Sequence, residues 1–195
     1  MRRNLFLSAL AAMLLPTTVY ATECPTAATA KRGFRLLQVN VQSEFRKHHE
    51  QIIRIENSYG GPGRQTVFSY RGLIDLSRMD AEAPQAIYAL SDLKDIFPLK
   101  RGARHEISFI PLSPDEPADA EWTFELNVGG QENFALENCK YKVWKVRQTT
   151  KKDGQMVDEW SALYSPDLEA TLAKIYEEGT ADEYTVPYER IRPVQ

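Results

Sequence analysis

Residues Glu121 to Tyr176 read EWTFELNVGGQENFALENCKYKVWKVRQTTKKDGQMVDEWSALYSPDLEATLAKIY, and the pattern in this stretch decides the fold class. Trp122, Phe124, Leu126 and Val128 alternate with Thr123, Glu125 and Asn127, so successive side chains point to opposite sides of an extended backbone, apolar on one side and polar on the other. That is the signature of a half-buried strand. Gly129-Gly130 and Asp153-Gly154 then supply the backbone freedom for turns between further strand-like runs, which predicts a series of hairpins. All three tryptophans and one of the two cysteines fall in this stretch.

Working outward, the N-terminal end has a basic start (Arg2, Arg3), an apolar run from Leu5 to Leu15, and Val19-Tyr20-Ala21 before a polar segment. This predicts a cleaved signal peptide over 1–21. A membrane anchor would need roughly 20 apolar residues, whereas this run spans about 15 and Pro16 interrupts it. Glu23 before Cys24 also disfavours lipidation. The expectation is one exported domain over 22–195, in the periplasm or secreted, with no stable membrane span once the signal is removed. The full chain carries 24 basic and 27 acidic residues, a net charge of −3; without Arg2 and Arg3 it is −5. Acids and bases are interspersed, so no basic stripe points to nucleic acid and no polybasic cluster to anionic lipid.

Export places Cys24 and Cys139 where disulfides persist, and two cysteines allow one intramolecular bridge, closing a loop of about 115 residues. A redox pair or a metal site lacks the CxxC or histidine spacing it would need. An intermolecular bond is the other alternative.

Along the chain, 22–32 reads as an extended lead-in unless Cys24 pins it. Phe34 to Val41 reads as a first strand, followed by a charged patch from Glu44 to Glu50. Ile52, Ile53 and Ile55 open a hairpin that returns through Thr66 to Tyr70 after a Gly-rich tip. That tip lacks the Gly-Lys-Ser/Thr ending of a phosphate loop. Leu73 to Ala89 alternates poorly, with a surface excursion at 79–84. Ser91 is placed to cap a short helix over Asp92 to Phe97, ended by Pro98. His105, Ile107 and Phe109 alternate as a strand, and Pro111 to Ala120 is a solvated connection. Leu168, Leu172, Ile175 and Tyr176 fit helical spacing, yet the segment also fits a strand returning from a turn. Tyr184, Val186 and Tyr188 alternate again, with Pro187 confining that strand to a sheet edge.

Taken in order, DLKDIFPLKRG, CKYKVWKV, LYSPDLEATLAKIY and TVPYERI resemble a group of uncharacterised exported proteins of Gram-negative, mainly alpha-proteobacterial, type. The resemblance covers about half of the chain, from Asp92 onward. It implies an antiparallel, strongly curved β domain, similar in outline to the half-barrels of periplasmic lipoprotein carriers, and a strand for Leu168 to Tyr176. It implies no catalytic residues. The expected fold is therefore mainly β, an antiparallel curved sheet forming a half-barrel or open barrel with one short helix.

Candidate chemistry is sparse. His48 and His49, as neighbours, face opposite ways on a strand, and His105 stands alone, so no metal site is expected. No Gly-x-Ser-x-Gly elbow is present. Asp153, Asp158, Glu159 and Asp167 read as solvated charges near turns. Trp122 and Trp160 are in phase with apolar neighbours and read as core. Trp144 is out of phase with Cys139, Tyr141 and Val143, which requires either two covered faces or a bulge; it too reads as core first, with ligand contact as the alternative that makes it the candidate binding residue. No cofactor is expected. Three functions stay open: a non-catalytic module whose concave sheet face binds an apolar ligand or an envelope protein, a structural or assembly protein acting through its outer surface, and a hydrolase of envelope glycans or peptides.

Overall fold

The computed structural model describes residues 24–80, 84–112 and 120–194. The expected signal segment 1–21 lies outside them. The chain begins with helix α1 (Ala27–Ala30), then forms β1 (Phe34–Gln38), β2 (Val41–His49), β3 (Ile52–Tyr59), β4 (Arg64–Tyr70), β5 (Ile74–Met79) and β6 (Gln85–Ala89). A single 3-10 turn, Leu93–Ile96, precedes β7 (Arg104–Pro111), and three long strands follow: β8 (Trp122–Leu136), β9 (Cys139–Lys152) and β10 (Gln155–Ser165). The chain closes with β11 (Ala170–Tyr176), β12 (Tyr184–Pro187) and β13 (Arg190–Pro193).

These strands make one antiparallel 13-stranded open sheet, a meander from β1 to β12 in which every strand pairs with its sequence neighbour. The exception is β13, which leaves β12 and pairs with β1 at the far edge. Two residues carry the chain across: Tyr188 donates its backbone N–H to Leu172 O at 3.0 Å, and Glu189 donates to Leu37 O at 2.8 Å. The two ends of the strand order are thereby brought together, and the sheet wraps round an interior. At the opposite side, β5 and β6 share only two register pairs, Ser77 with Ala86 and Arg78 with Gln85.

Burial falls into two clusters. The first gathers Phe34, Leu36, Phe45, Ile53, Leu136, Val143, Leu172 and Ile191, with Cys24 and Ala30 packed against it. Cys24 and Cys139 form the expected disulfide, which fastens the N-terminal segment over this core. The second cluster gathers Tyr70, Leu73, Ile74, Ile96, Ile107, Leu126, Val146 and Tyr164. Strand β9 serves both by changing parity: Cys139, Tyr141 and Val143 enter the first cluster, Val146 the second. The change coincides with a bulge in the partner strand, where the register jumps from Val128–Val146 to Gln131–Trp144.

That bulge corrects the expected turn at Gly129-Gly130. The strand runs straight through, and the hairpin turns later, at Glu137, whose φ is +50°. Glycine is favoured at 129 for another reason: a Cβ there would sit 3.0 Å from the Lys145 carbonyl oxygen, a tight contact. The predicted Asp153-Gly154 turn is present, with both residues at positive φ.

Other expectations change as well. The lead-in is not wholly extended, because Thr26 and Thr29 form a capping box that nucleates α1. The charged patch Glu44–Glu50 lies mostly within β2, its acids and bases paired across the face that looks outward, as Arg35 and Arg46 do with Glu44. The poorly alternating Leu73–Ala89 segment holds β5 and β6. Asp92, not Ser91, caps the short helix, accepting from Lys94 N–H at 2.9 Å, while Ser91 Oγ accepts from Ser108 N–H across the strand gap. For Leu168–Tyr176 the strand alternative is the observed one, and β12 is an edge strand as Pro187 requires.

Candidate functional site: a cleft inside the curved sheet

The interior of the sheet is packed in two clusters, and residues of both border a cleft. Phe45, Ile55 and Val67 lie side by side on β2, β3 and β4, as the register pairs Phe45–Ile55 and Ile55–Val67 show. They face Phe109 and Phe124 from the other half of the sheet across a cleft of about 510 Å³. Ile74 and Ile87 add to this apolar lining. The volume is within the range of small-molecule sites, and the composition is typical of them: mostly apolar walls with a few placed polar groups.

Those polar groups form two sets. One is a ladder over β2 to β4: Ser43 Oγ donates to Asn57 Oδ1 at 2.7 Å, Asn57 Nδ2 donates to Gln65 Oε1 at 3.1 Å, and Tyr59 OH donates to the same oxygen at 3.2 Å. Tyr188, on the segment that bridges the sheet edges, joins through a 2.7 Å hydrogen bond with Ser43. Burial pushes the Tyr188 phenol above its ordinary pKa, so it stays a neutral hydrogen-bonding group. The second set lies on β9 to β11. Gln148, 1% exposed, donates to Leu73 O at 3.4 Å, and Lys174 lies over the face of Trp160 with Nζ 3.9 Å from the ring centroid. Burial lowers the pKa of the Lys174 ammonium, opposed by the charge of Asp75.

One contact joins the two halves of the sheet beside the cleft. The β4–β5 turn, Arg71-Gly72, meets the turn before β11, and Tyr164 OH donates to Arg71 O at 2.7 Å. Glu169 in the second turn accepts from Lys47 at 2.6 Å. The approach is so close that a Cβ on Gly72 would lie 1.8 Å from the Glu169 carbonyl oxygen, and Gly72 has a φ of +65°. The YSPDL stretch thus makes an inter-half contact rather than serving as a connector alone.

The residues singled out from sequence are dispersed. Trp144 packs against the second cluster and is not part of the cleft lining; Trp160 is. Trp122 lies tilted against Phe109, centroids 5.8 Å apart, with Lys152 over its ring. His48 packs edge-on against Phe68, while His105 borders a second, shallower groove with Arg147, Lys145 and Glu178. In that groove Glu178 pairs with Lys145 and Arg147 and accepts from Ser161. Asp153 accepts from Glu121 N–H, Glu159 accepts from Thr149 Oγ1, and Asp158 and Asp167 are exposed. Among the described residues, no three His, Cys, Asp or Glu side chains converge as a metal site would require. Among them, too, no helix is long and apolar enough to cross a membrane.

Sequence reading missed Lys174, Gln148 and Tyr188. A signal for two of them was present: Lys174 is two residues from both Leu172 and Tyr176, and Gln148 two from Val146, so strand period places each on a buried face. No family model, no curated protein and no solved structure matches this chain.

Proposed function

We propose that this chain is an exported, non-catalytic binding module that holds an apolar ligand in the cleft of its curved sheet. The observation that carries the reading is the lining itself: Phe45, Ile55, Val67, Ile74, Phe109 and Phe124 turn toward a common space of about 510 Å³ that the chain's own side chains leave open. Burying apolar ligand surface there is worth roughly 25 cal/mol per Å² before the costs of association. The disulfide supports an oxidising compartment such as the periplasm.

Titration of the purified mature protein with a lipophilic fluorescent probe tests this. Saturable binding at one site is expected, and Thr150→Trp, which projects an indole into the cleft, is expected to weaken it at least tenfold while far-UV dichroism stays unchanged. Absence of saturable binding by every apolar probe tried would overturn the reading.

A second reading rests on a separate surface. Tyr88, Leu90, Ile110 and Leu112 are 39–61% exposed on β6, β7 and the residues just after them. Tyr88 and Ile110 are register partners, so they form one outward face. Such a contiguous apolar face suits an envelope protein partner. Retention of a partner from envelope extracts by the wild type, and not by Tyr88→Ser/Ile110→Ser, would favour it.

A further inference from the structure

Among the described residues, Lys174 is the one cation lining the cleft that is set against an aromatic face. It projects from β11 between Ala162 of β10 and Val186 of the edge strand β12. Its side chain is partly buried and its ammonium lies on Trp160. Among the described residues, no carboxylate is within ion-pair distance of it. The surrounding charges are otherwise engaged or more distant. On β5, Asp75 pairs with Arg78 at 3.4 Å; on β10, Asp158 is exposed; Tyr176 and Tyr184 stack on one another at 5.1 Å; Tyr188 is hydrogen-bonded to Ser43. A cation–π contact offsets part of the cost of burying an ammonium, but a desolvated charge is normally matched by an opposite one. Asp75 and Arg78, paired with each other, line the same cleft as Lys174, and the rest of its lining includes the apolar side chains of Phe109, Phe124 and Ile87.

We infer that Lys174 is the head-group site for an anionic amphiphile, a long-chain carboxylate, whose hydrocarbon tail occupies the apolar cleft. This rests on the apolar-ligand reading above and adds a polar end to it. The carboxylate supplies the charge that Lys174 lacks, and Trp160 holds the ammonium in one position so that little side-chain freedom is lost on binding. The tail supplies affinity through burial, and the head supplies choice among tails.

Isothermal titration with dodecanoate, dodecyl phosphate, dodecanol and dodecyltrimethylammonium, all below their micellar concentrations, separates the two claims. The wild type is expected to bind dodecanoate at least tenfold more tightly than dodecanol, and the cationic amphiphile more weakly still. Lys174→Met should abolish that preference while leaving dodecanol binding within a factor of three, and Lys174→Arg should retain it. If Lys174→Met does not fold, the wild type still decides. The preference should vanish as pH rises through the lowered pKa of Lys174, with dodecanol binding unchanged. Equal binding of dodecanoate and dodecanol, or a preference that survives Lys174→Met, overturns the head-group assignment and leaves the apolar cleft standing. Failure of all four amphiphiles overturns both. Tighter binding of dodecyl phosphate than of dodecanoate keeps the cation's role and overturns the choice of carboxylate.

Discussion

The two ends of the sheet interior are built from the same kind of strand but are completed differently. At the packed end, Leu36, Leu136, Val143, Leu172 and Ile191 are at most 1% exposed, and the Cys24–Cys139 bridge lays α1 against them. At the hollow end, the aromatic and branched side chains of β2 to β4 face those of β7 and β8 without meeting. A curved sheet closes only where something fills its concavity. The N-terminal segment and the turn before β11 do so at one end, and at the other the wall instead carries polar groups: Gln148, Lys174 and the Ser43–Asn57–Gln65 ladder. Stability therefore comes from both buried clusters, and binding capacity from the cleft that they border.

The contrast can be broken most forcefully at the contact that locks the halves together. Gly72→Ala forces a Cβ onto the Glu169 backbone at a positive φ, and a loss of about 4 kcal/mol is expected in urea melts, enough to abolish folding in a marginal domain. Next in size, replacing both Cys24 and Cys139 by Ser releases a crosslink spanning 115 residues. Chain entropy sets a ceiling near 5 kcal/mol, and a loss of about 3 kcal/mol is expected by denaturant titration. If the two ends are independent, amphiphile affinity in the absence of denaturant should change by less than threefold.

Truncations sharpen the comparison further. Leu172→Ala at the packed end should cost about 3 kcal/mol, since the neighbours are held on all sides. Ile87→Ala, at the rim of the cleft, should cost under about 1 kcal/mol, because the side chain already borders open space, while weakening probe binding. Equal costs at the two sites would show that the hollow end is as tightly packed as the other.

The smallest effect concerns Tyr141, whose hydroxyl is buried without a hydrogen-bond partner among the described residues and whose pKa burial pushes up to about 12. Its folded pKa is above the unfolded value of 10.0, so its contribution is full below pH 10 and is lost as pH rises toward 12. Tyr141→Phe should alter stability at pH 7 by less than about 1 kcal/mol and reduce the alkaline loss, read from melts at pH 7 and pH 11.

Much of the sheet was legible because strand alternation reports which residues share a face. The runs at Trp122–Val128, His105–Phe109 and Ile52–Ile55 are strands for that reason. It fails where both faces are covered or the face looks outward and charged. Strand β2 was obscured by Glu44, Arg46 and Lys47, whose partners come from β1, from β2 itself and from the turn before β11, respectively. Gly129-Gly130 has turn composition, yet nothing local distinguishes a turn from a bulge; the decision comes from β9, whose Lys145 carbonyl needs the space. Trp144 was singled out correctly as out of phase, and the bulge alternative is the one present, but the indole facing the cleft is Trp160.

By itself, the order of apolar and polar residues determined that this chain forms antiparallel strands, because side-chain direction along an extended backbone has period two and needs no distant partner. Cysteine count and export pattern likewise sufficed to predict the Cys24–Cys139 bridge. Only the tertiary structure decided that β13 would cross to β1, that two turns would meet at Gly72, and that Lys174 would lie on Trp160 beside an apolar cleft. Each of those depends on how strongly the sheet curves, a quantity summed over thirteen strands and two seams and written in no single stretch of sequence.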